Sequence, residues 1–168
     1  MSMAQALIPE FDMEMANTRK VLECIPDDKL PWKAGERFNS IGWNANHLAD
    51  VAGWVAMTIT TDELDVHPVD GEPYKTPQFQ STREILALFD KNVATARELL
   101  ENVSDEELMK LWALLKQGQA MMTMPKMVVI RTWVLNHSIH HRAHLCVYLR
   151  LNGIAVPGMY GPSESDSE

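Results

Sequence analysis

The sequence predicts an all-α protein, a four-helix bundle with a long loop between its second and third helices. Three observations carry this expectation. Four stretches repeat apolar residues at steps of three and four, the period of a helix with one buried face. No stretch carries a convincing period-two alternation. Eleven methionines among 168 residues suit a helical interior, because Met is a good helix former and fills irregular gaps.

In the first helix Leu7, Phe11, Met15, Thr18, Leu22 and Ile25 draw a single stripe, and Pro26 ends it by breaking the hydrogen-bond ladder. Ser40 is a good N-cap for the second, whose buried side reads Ile41, Leu48, Val51, Val55 and Ile59. From Thr60 to Gln80 the period dissolves, and Pro68, Gly71, Pro73 and Pro77 forbid regular helix. A connection this long is a lid, a binding edge or a plain crossover. Ser81 and Glu84 have capping-box spacing and open a third helix with Ile85, Leu88, Phe89, Val93, Ala96, Leu99 and Leu100 on its core face. Ser104 starts a second short helical piece. Residues from Trp112 to Thr123 fit no single element, since Gln117-Gly118 interrupts them. The last helix begins around Pro125 and runs to Asn152, where Gly153 suits a left-handed cap. The long second connection allows an up-down-down-up order as well as simple up-and-down. Residues 1–162 form one expected domain, and 163–168 an acidic, apolar-free tail expected to be disordered.

Charge and composition exclude several functions. A formal net charge of −8, with no basic run, disfavours phosphate backbones and hence nucleic acid. No apolar segment reaches the ~20 residues that cross a bilayer, and the N-terminus lacks signal-peptide features, so no membrane role and cytoplasmic residence are expected. Cys24 and Cys146 belong to no Cys-x-x-Cys pair and read as small buried hydrophobes.

Chemistry concentrates in the last helix. His137 and His141 stand one turn apart on one face, so their imidazoles can converge on a point beside the helix. His140 and His144 form a second pair, rotated by about 60°. Extending the first pair meets Ile130, Val134, Leu145 and Tyr148, the more consistently apolar stripe, which points His137 and His141 inward. A metal would need a third ligand from another helix, and His47, between Trp43, Val51 and Trp54, is the strongest candidate. His67 sits in the proline-rich loop and reads as solvated. Three neutral imidazoles suit Zn, Ni or a similar first-row ion and leave positions open. Against this stands a plain structural bundle whose histidines pack without metal. A zincin is ruled out, because Ser138 stands where its catalytic Glu would be. No Ser-His-Asp signature or phosphate-binding glycine loop is present.

The run Trp133-Val134-Leu135-Asn136-His137-Ser138-Ile139-His140-His141-Arg142, continued through Val147–Gly153, Val156-Pro157 and Tyr160-Gly161-Pro162, resembles the C-terminal signature of the DinB family. Ser40-Ile41-Gly42-Trp43 and His47–Val51 resemble that family's second-helix segment. The resemblance covers about residues 3–162. It implies a four-helix bundle with a three-histidine metal site at His47, His137 and His141, Zn or Ni as the ion, and a homodimer. In the wider superfamily it implies thiol-dependent transferases and isomerases, while many plain members have no assigned activity. Family members usually carry Gly and Gln where this chain has Ala143 and His144, so His144 becomes a group just outside the ligands, a pocket residue, or an extra or alternate ligand, the first being the reading favoured.

The leading functional expectation is therefore a metal-dependent enzyme, most concretely a low-molecular-weight-thiol S-transferase joining a small thiol to an electrophile. Trp43, Trp54, Trp133 and Tyr148 would wall its pocket, and Asp50 or Asn136 would orient an imidazole through its second nitrogen. The alternatives are a non-catalytic metal- or small-molecule-binding stress-response dimer, or a metal-dependent hydrolase, for which the sequence places no general base.

Overall fold

The structure is a computed structural model, and it describes residues 1–163. Four long helical stretches account for the core. Helix α1 spans Met3–Glu23, α2 Ile41–Thr60 and α3 Thr82–Asn102, while the last stretch runs from Lys126 to Leu151. α1 and α2 follow one another in sequence yet sit diagonally. Each packs chiefly against α3 and against the C-terminal helix α6 (His137–Leu151). That fixes which helices are neighbours.

The predicted stripes fill this core. Phe11, Leu22, Ile41, Val55, Ile85, Phe89, Ile130, Val134 and Leu145 are buried. Ser40 caps α2 by accepting from Trp43 N–H at 3.0 Å. Ser81 accepts from Glu84 N–H, but Glu84 returns its carboxylate to the Ser81 hydroxyl (2.6 Å) rather than to the cap's backbone, so the expected capping box is only half formed. A full box closes instead at Ser2 and Gln5. At the other end Gly153 adopts φ +71°, and Gly153 and Ile154 donate to Arg150 and Leu149 in a Schellman closure. Gly53 lets α3 approach α2, for a Cβ there would lie 2.9 Å from the Asn92 amide that donates to Ala49 O.

Two features correct the sequence-based expectation. The chain is not all-α. Beside the helices lies a three-stranded sheet in the order β1-β2-β3, with β1 at Glu63–Asp65, β2 at Leu111–Lys116 and β3 at Gln119–Pro125. β1 runs parallel to β2, and β3 antiparallel to it. The short helix α4 (Asp105–Met109) leads into β2. Gln117 and Gly118, at φ +54° and +72°, make a two-residue turn of the mirror-image type that matches hairpin twist. The ambiguous segment from Trp112 to Thr123 is this hairpin, and the proline-rich connection contributes β1 and then crosses to α3.

The last helix, moreover, is not uniformly α. Lys126–Val129 (α5) is followed by seven π-helical residues, Ile130–Asn136, which lead without a break into α6. A π turn takes in extra residues and widens the face it presents, and such turns cluster at functional sites. Here it stands directly before His137.

Two ionic clusters, each built on a buried cation, tie the periphery down. Arg142, 2% exposed, donates to Glu14, to Thr18 and to Tyr160, joining α6 and α1 to the C-terminal segment. Lys126, 1% exposed, donates to Ile59 O and to Glu107, and pairs with Asp62. It thereby pins the sheet's flanks to the end of α2. No helix among the described residues is long and apolar enough to cross a membrane. Of the tail expected to be disordered, Ser163 donates to Val156 O at 2.7 Å, and residues 164–168 lie outside the described residues.

Candidate metal centre

The diagonal packing sets α2 against α6, and three histidines meet across that seam. One ring nitrogen from each of His47, His137 and His141 lies within 4.8 Å of the others. The ring centroids are 4.6 Å apart for His47–His141 and His137–His141, and 5.1 Å for His47–His137. His47 Nε2 stands 2.9 Å from His137 Nε2.

The rings are held from outside. His141 Nδ1 lies 3.1 Å from Asn44 Oδ1. Asn44 spends its own amide N–H on Ser40 O, so its oxygen is the end that faces the imidazole and accepts from it. Nδ1 of His141 therefore carries the proton, and the Nε2 lone pair is left for a ligand. Trp43 stacks on His47 at 4.7 Å and packs obliquely on His141 at 5.7 Å. Trp54 sets its edge against both His47 and His137 at 5.6 Å, and Trp133 stacks on His137 at 6.1 Å.

This environment keeps the rings uncharged. Burial, aided by His137, lowers the pKa of His47 to about 4. Burial and the neighbouring histidines lower that of His141 to about 3, and burial also lowers His137. Neutral imidazole is the ligand form. Three such donors within ligand distance of one another fit a divalent ion, since a tetrahedral ion with Zn–N bonds near 2.0–2.1 Å holds its nitrogens about 3.3 Å apart. His47 Nδ1 is buried without a hydrogen-bond partner among the described residues, so Nε2 is the His47 nitrogen already turned to the cluster.

Beside the cluster opens a cavity of about 260 Å³, bordered by His47. α2 supplies Trp54 and Thr58, and the last helix supplies Val129, Trp133 and Val134 from and around its π turn. The sheet closes the far side with Leu64, Leu114 and Met122, which are cross-strand partners in one row, together with Trp112 and Val66. Tyr74 and Thr76 of the long connection complete the wall. Tyr74 accepts from Trp54 Nε1–H at 3.0 Å and lies 2.8 Å from both oxygens of Asp50. Burial raises the pKa of Asp50 against the opposing effect of those hydrogen bonds.

Several of the residues singled out from sequence stand elsewhere than expected. Asn136, at the end of the π turn, is exposed, and Asp50 serves Tyr74 and Thr76 rather than a histidine. The residue that orients an imidazole is Asn44, one turn before His47, which the sequence analysis passed over. Tyr148 lies further along α6 and packs edge-on against Trp32 and Phe38, away from the cavity. Trp43 packs on His47 and His141 and does not line the cavity. His144 is exposed. It packs on His140 at 4.3 Å and stands 6.0 Å from His141, outside the group of three.

Comparison with known proteins agrees with this architecture. The model of the DinB family matches residues 1–168. The chain is 23% identical to YrdA of Bacillus subtilis over 164 residues, covering 95% of this chain and 89% of that one. Among solved structures, a DinB-like protein from Bacillus cereus superposes with a TM-score of 0.70 at 23% identity, covering 93% of this chain and 97% of the other. YjoA of Bacillus subtilis gives 0.68 at 17% identity, covering 94% and 99%. YfiT of Bacillus subtilis gives 0.67 at 17% identity, covering 90% and 89%, and is described as a probable metal-dependent hydrolase with an unusual four-helix bundle topology. At these identities the structural likeness speaks to the fold.

Proposed function

The chain belongs to the DinB family, and on that premise we propose that it is a divalent-metal-dependent enzyme, acting as a transferase that joins a small thiol to an apolar electrophile. One observation carries the reading: three uncharged imidazoles converge beside a cavity that His47 borders and whose walls are almost all carbon. His47, His137 and His141 would hold the ion, with Zn or Ni best matched to an all-nitrogen donor set. An ion so held keeps its full charge and supplies Lewis acidity, lowering the pKa of a thiol that reaches an open position.

The chain's own residues do the rest. Asn44 fixes the tautomer of His141 and aims its Nε2, the role an outer hydrogen bond plays at metal-bound histidines. Trp43 and Trp54 exclude water from the rings, which strengthens every electrostatic contact inside. The cavity takes up the apolar part of the electrophile and presents its reactive end to the histidines.

A hydrolase is the second reading, and one observation favours it. The sequence placed no carboxylate for a general base, whereas Asp50 stands behind Tyr74 and Thr76 of the cavity wall, with burial raising its pKa. YfiT's description points the same way.

Both readings are tested on protein purified without affinity metals, loaded with Zn or Ni, and assayed with a thiol panel plus a generic electrophile and, separately, with ester substrates. Thiol-dependent turnover that disappears in His141→Ala supports the transferase. Thiol-independent ester cleavage lost in Asp50→Asn supports the hydrolase. Stoichiometric metal with neither activity leaves a binding protein, and failure to take up metal overturns all three.

A further inference from the structure

His140 and His144 take no part in the inner centre, yet they repeat half of its geometry. They stand one turn apart on α6, so their side chains rise from one face of the helix. Their ring centroids are 4.3 Å apart, against 4.6 Å for His137 and His141, the inner pair at the same spacing. The surroundings of the two pairs differ. His137 and His141 are half-buried, whereas His140 and His144 lie with Ala143 and Val147 on an exposed strip of α6. Neither outer ring hydrogen-bonds to another side chain or to the backbone among the described residues. Their nitrogens are therefore not spent on holding the fold.

Two imidazoles on adjacent turns can offer one nitrogen each to a single ion. Imidazole suits Zn, Cu, Fe and Ni, whereas Mg and Ca select oxygen ligands. The strip carries no Lys or Arg, and Arg142, between the two histidines in sequence, is turned inward to Glu14. A net charge of −8 favours cations at the surface. We propose that His140 and His144 form a second, outer site for a divalent first-row ion, bidentate and completed by water. This goes beyond the enzyme reading above and does not rest on it. Such a site has two protein ligands instead of three, no Asn44 to fix a ring and no tryptophan stacked over it, so it binds more weakly than the inner centre. His140 packs on His141 at 5.1 Å, which brings the two ions near one another, and their repulsion makes the outer site fill second.

The test titrates Ni²⁺ calorimetrically into full-length, metal-free protein that carries no affinity tag, with Mg²⁺ as the control ion. Wild type is expected to take two Ni²⁺ per chain, the second more weakly by about tenfold or more, and no Mg²⁺. His144→Gln and His140→Ala replace exposed side chains, so each should keep the first ion, which also reports that the variant is folded, and lose the second. His141→Ala should do the reverse and hold a weak ion no less tightly than wild type holds its second. Ni²⁺ uptake in His144→Gln or His140→Ala equal to that of wild type, or equal uptake of Mg²⁺ and Ni²⁺, would overturn the proposal. A single ion that is lost in His144→Gln and kept in His141→Ala would instead overturn the inner metal reading and leave the outer site standing.

Discussion

At the scale of single residues, Asn44 and His47 make the sharpest claims. Asn44→Ala removes the acceptor for His141 Nδ1–H, and second-layer changes of this kind typically cost 10–100-fold in metal affinity. Competition with a chromophoric chelator should show that loss, and Asn44→Asp, which still accepts, should recover most of it. The buried histidines also make the metal-free protein acid-sensitive. An unfolded ring takes its proton near the ordinary value of 6.5, whereas folded His47 waits until about 4 and His141 until about 3. Between those limits the unfolded chain binds more protons, so the stability contributed above 6.5 is lost as pH falls through the folded values. For His47, 7% exposed, the loss is on the order of 2–3 kcal/mol. Urea unfolding at pH 7 and pH 4 should show a smaller difference in His47→Gln than in wild type, and an equal difference would refute this account.

At the scale of elements, the hairpin and the π turn matter most, since they shape the cavity and escaped sequence analysis. Gly118 holds φ +72° with nothing within 4 Å of where a Cβ would stand. Gly118→Ala should therefore cost about 1 kcal/mol through backbone conformation alone. Gln117, at φ +54°, is the non-glycine partner in the turn, and Gln117→Asn should gain a few tenths of a kcal/mol, because Asn tolerates that region better. Thermal denaturation of the two variants should move in opposite directions. β2 was illegible because Leu111-Trp112-Ala113-Leu114-Leu115 is one apolar run. Such a run carries no period, and its alternation is visible only once Leu114 is seen paired with Leu64 and Met122. The π turn left no mark either, since the residues of Ile130–Asn136 read as ordinary helix.

At the scale of the whole molecule, the ionic clusters around buried Arg142 and Lys126 hold the bundle's ends. Arg142 and Glu14 are 2% and 3% exposed. Arg142→Met leaves the Glu14 carboxylate buried without its partner, and should destabilise the protein by about 3–5 kcal/mol in chemical denaturation. Adding Glu14→Gln to that variant should restore part of the loss, because the stranded charge is gone. A loss no larger than that of an exposed pair such as Arg97–Asp12 would show the cluster to be energetically idle.

The sequence by itself determined the helices, their apolar faces and the inward turn of His137 and His141. Those follow from local periodicity, which the chain carries in its own spacing. It also carried His47, through its position in an apolar helix and through the DinB resemblance. Only the tertiary structure decided which helices are neighbours, that a sheet closes the cavity, and that Asn44 rather than Asn136 faces an imidazole. Each of these depends on residues far apart in sequence: Asn44 lies 97 positions from His141, and Leu64 pairs with Leu114 across fifty. Contacts of that kind arise from packing one element on another, and no local period encodes them.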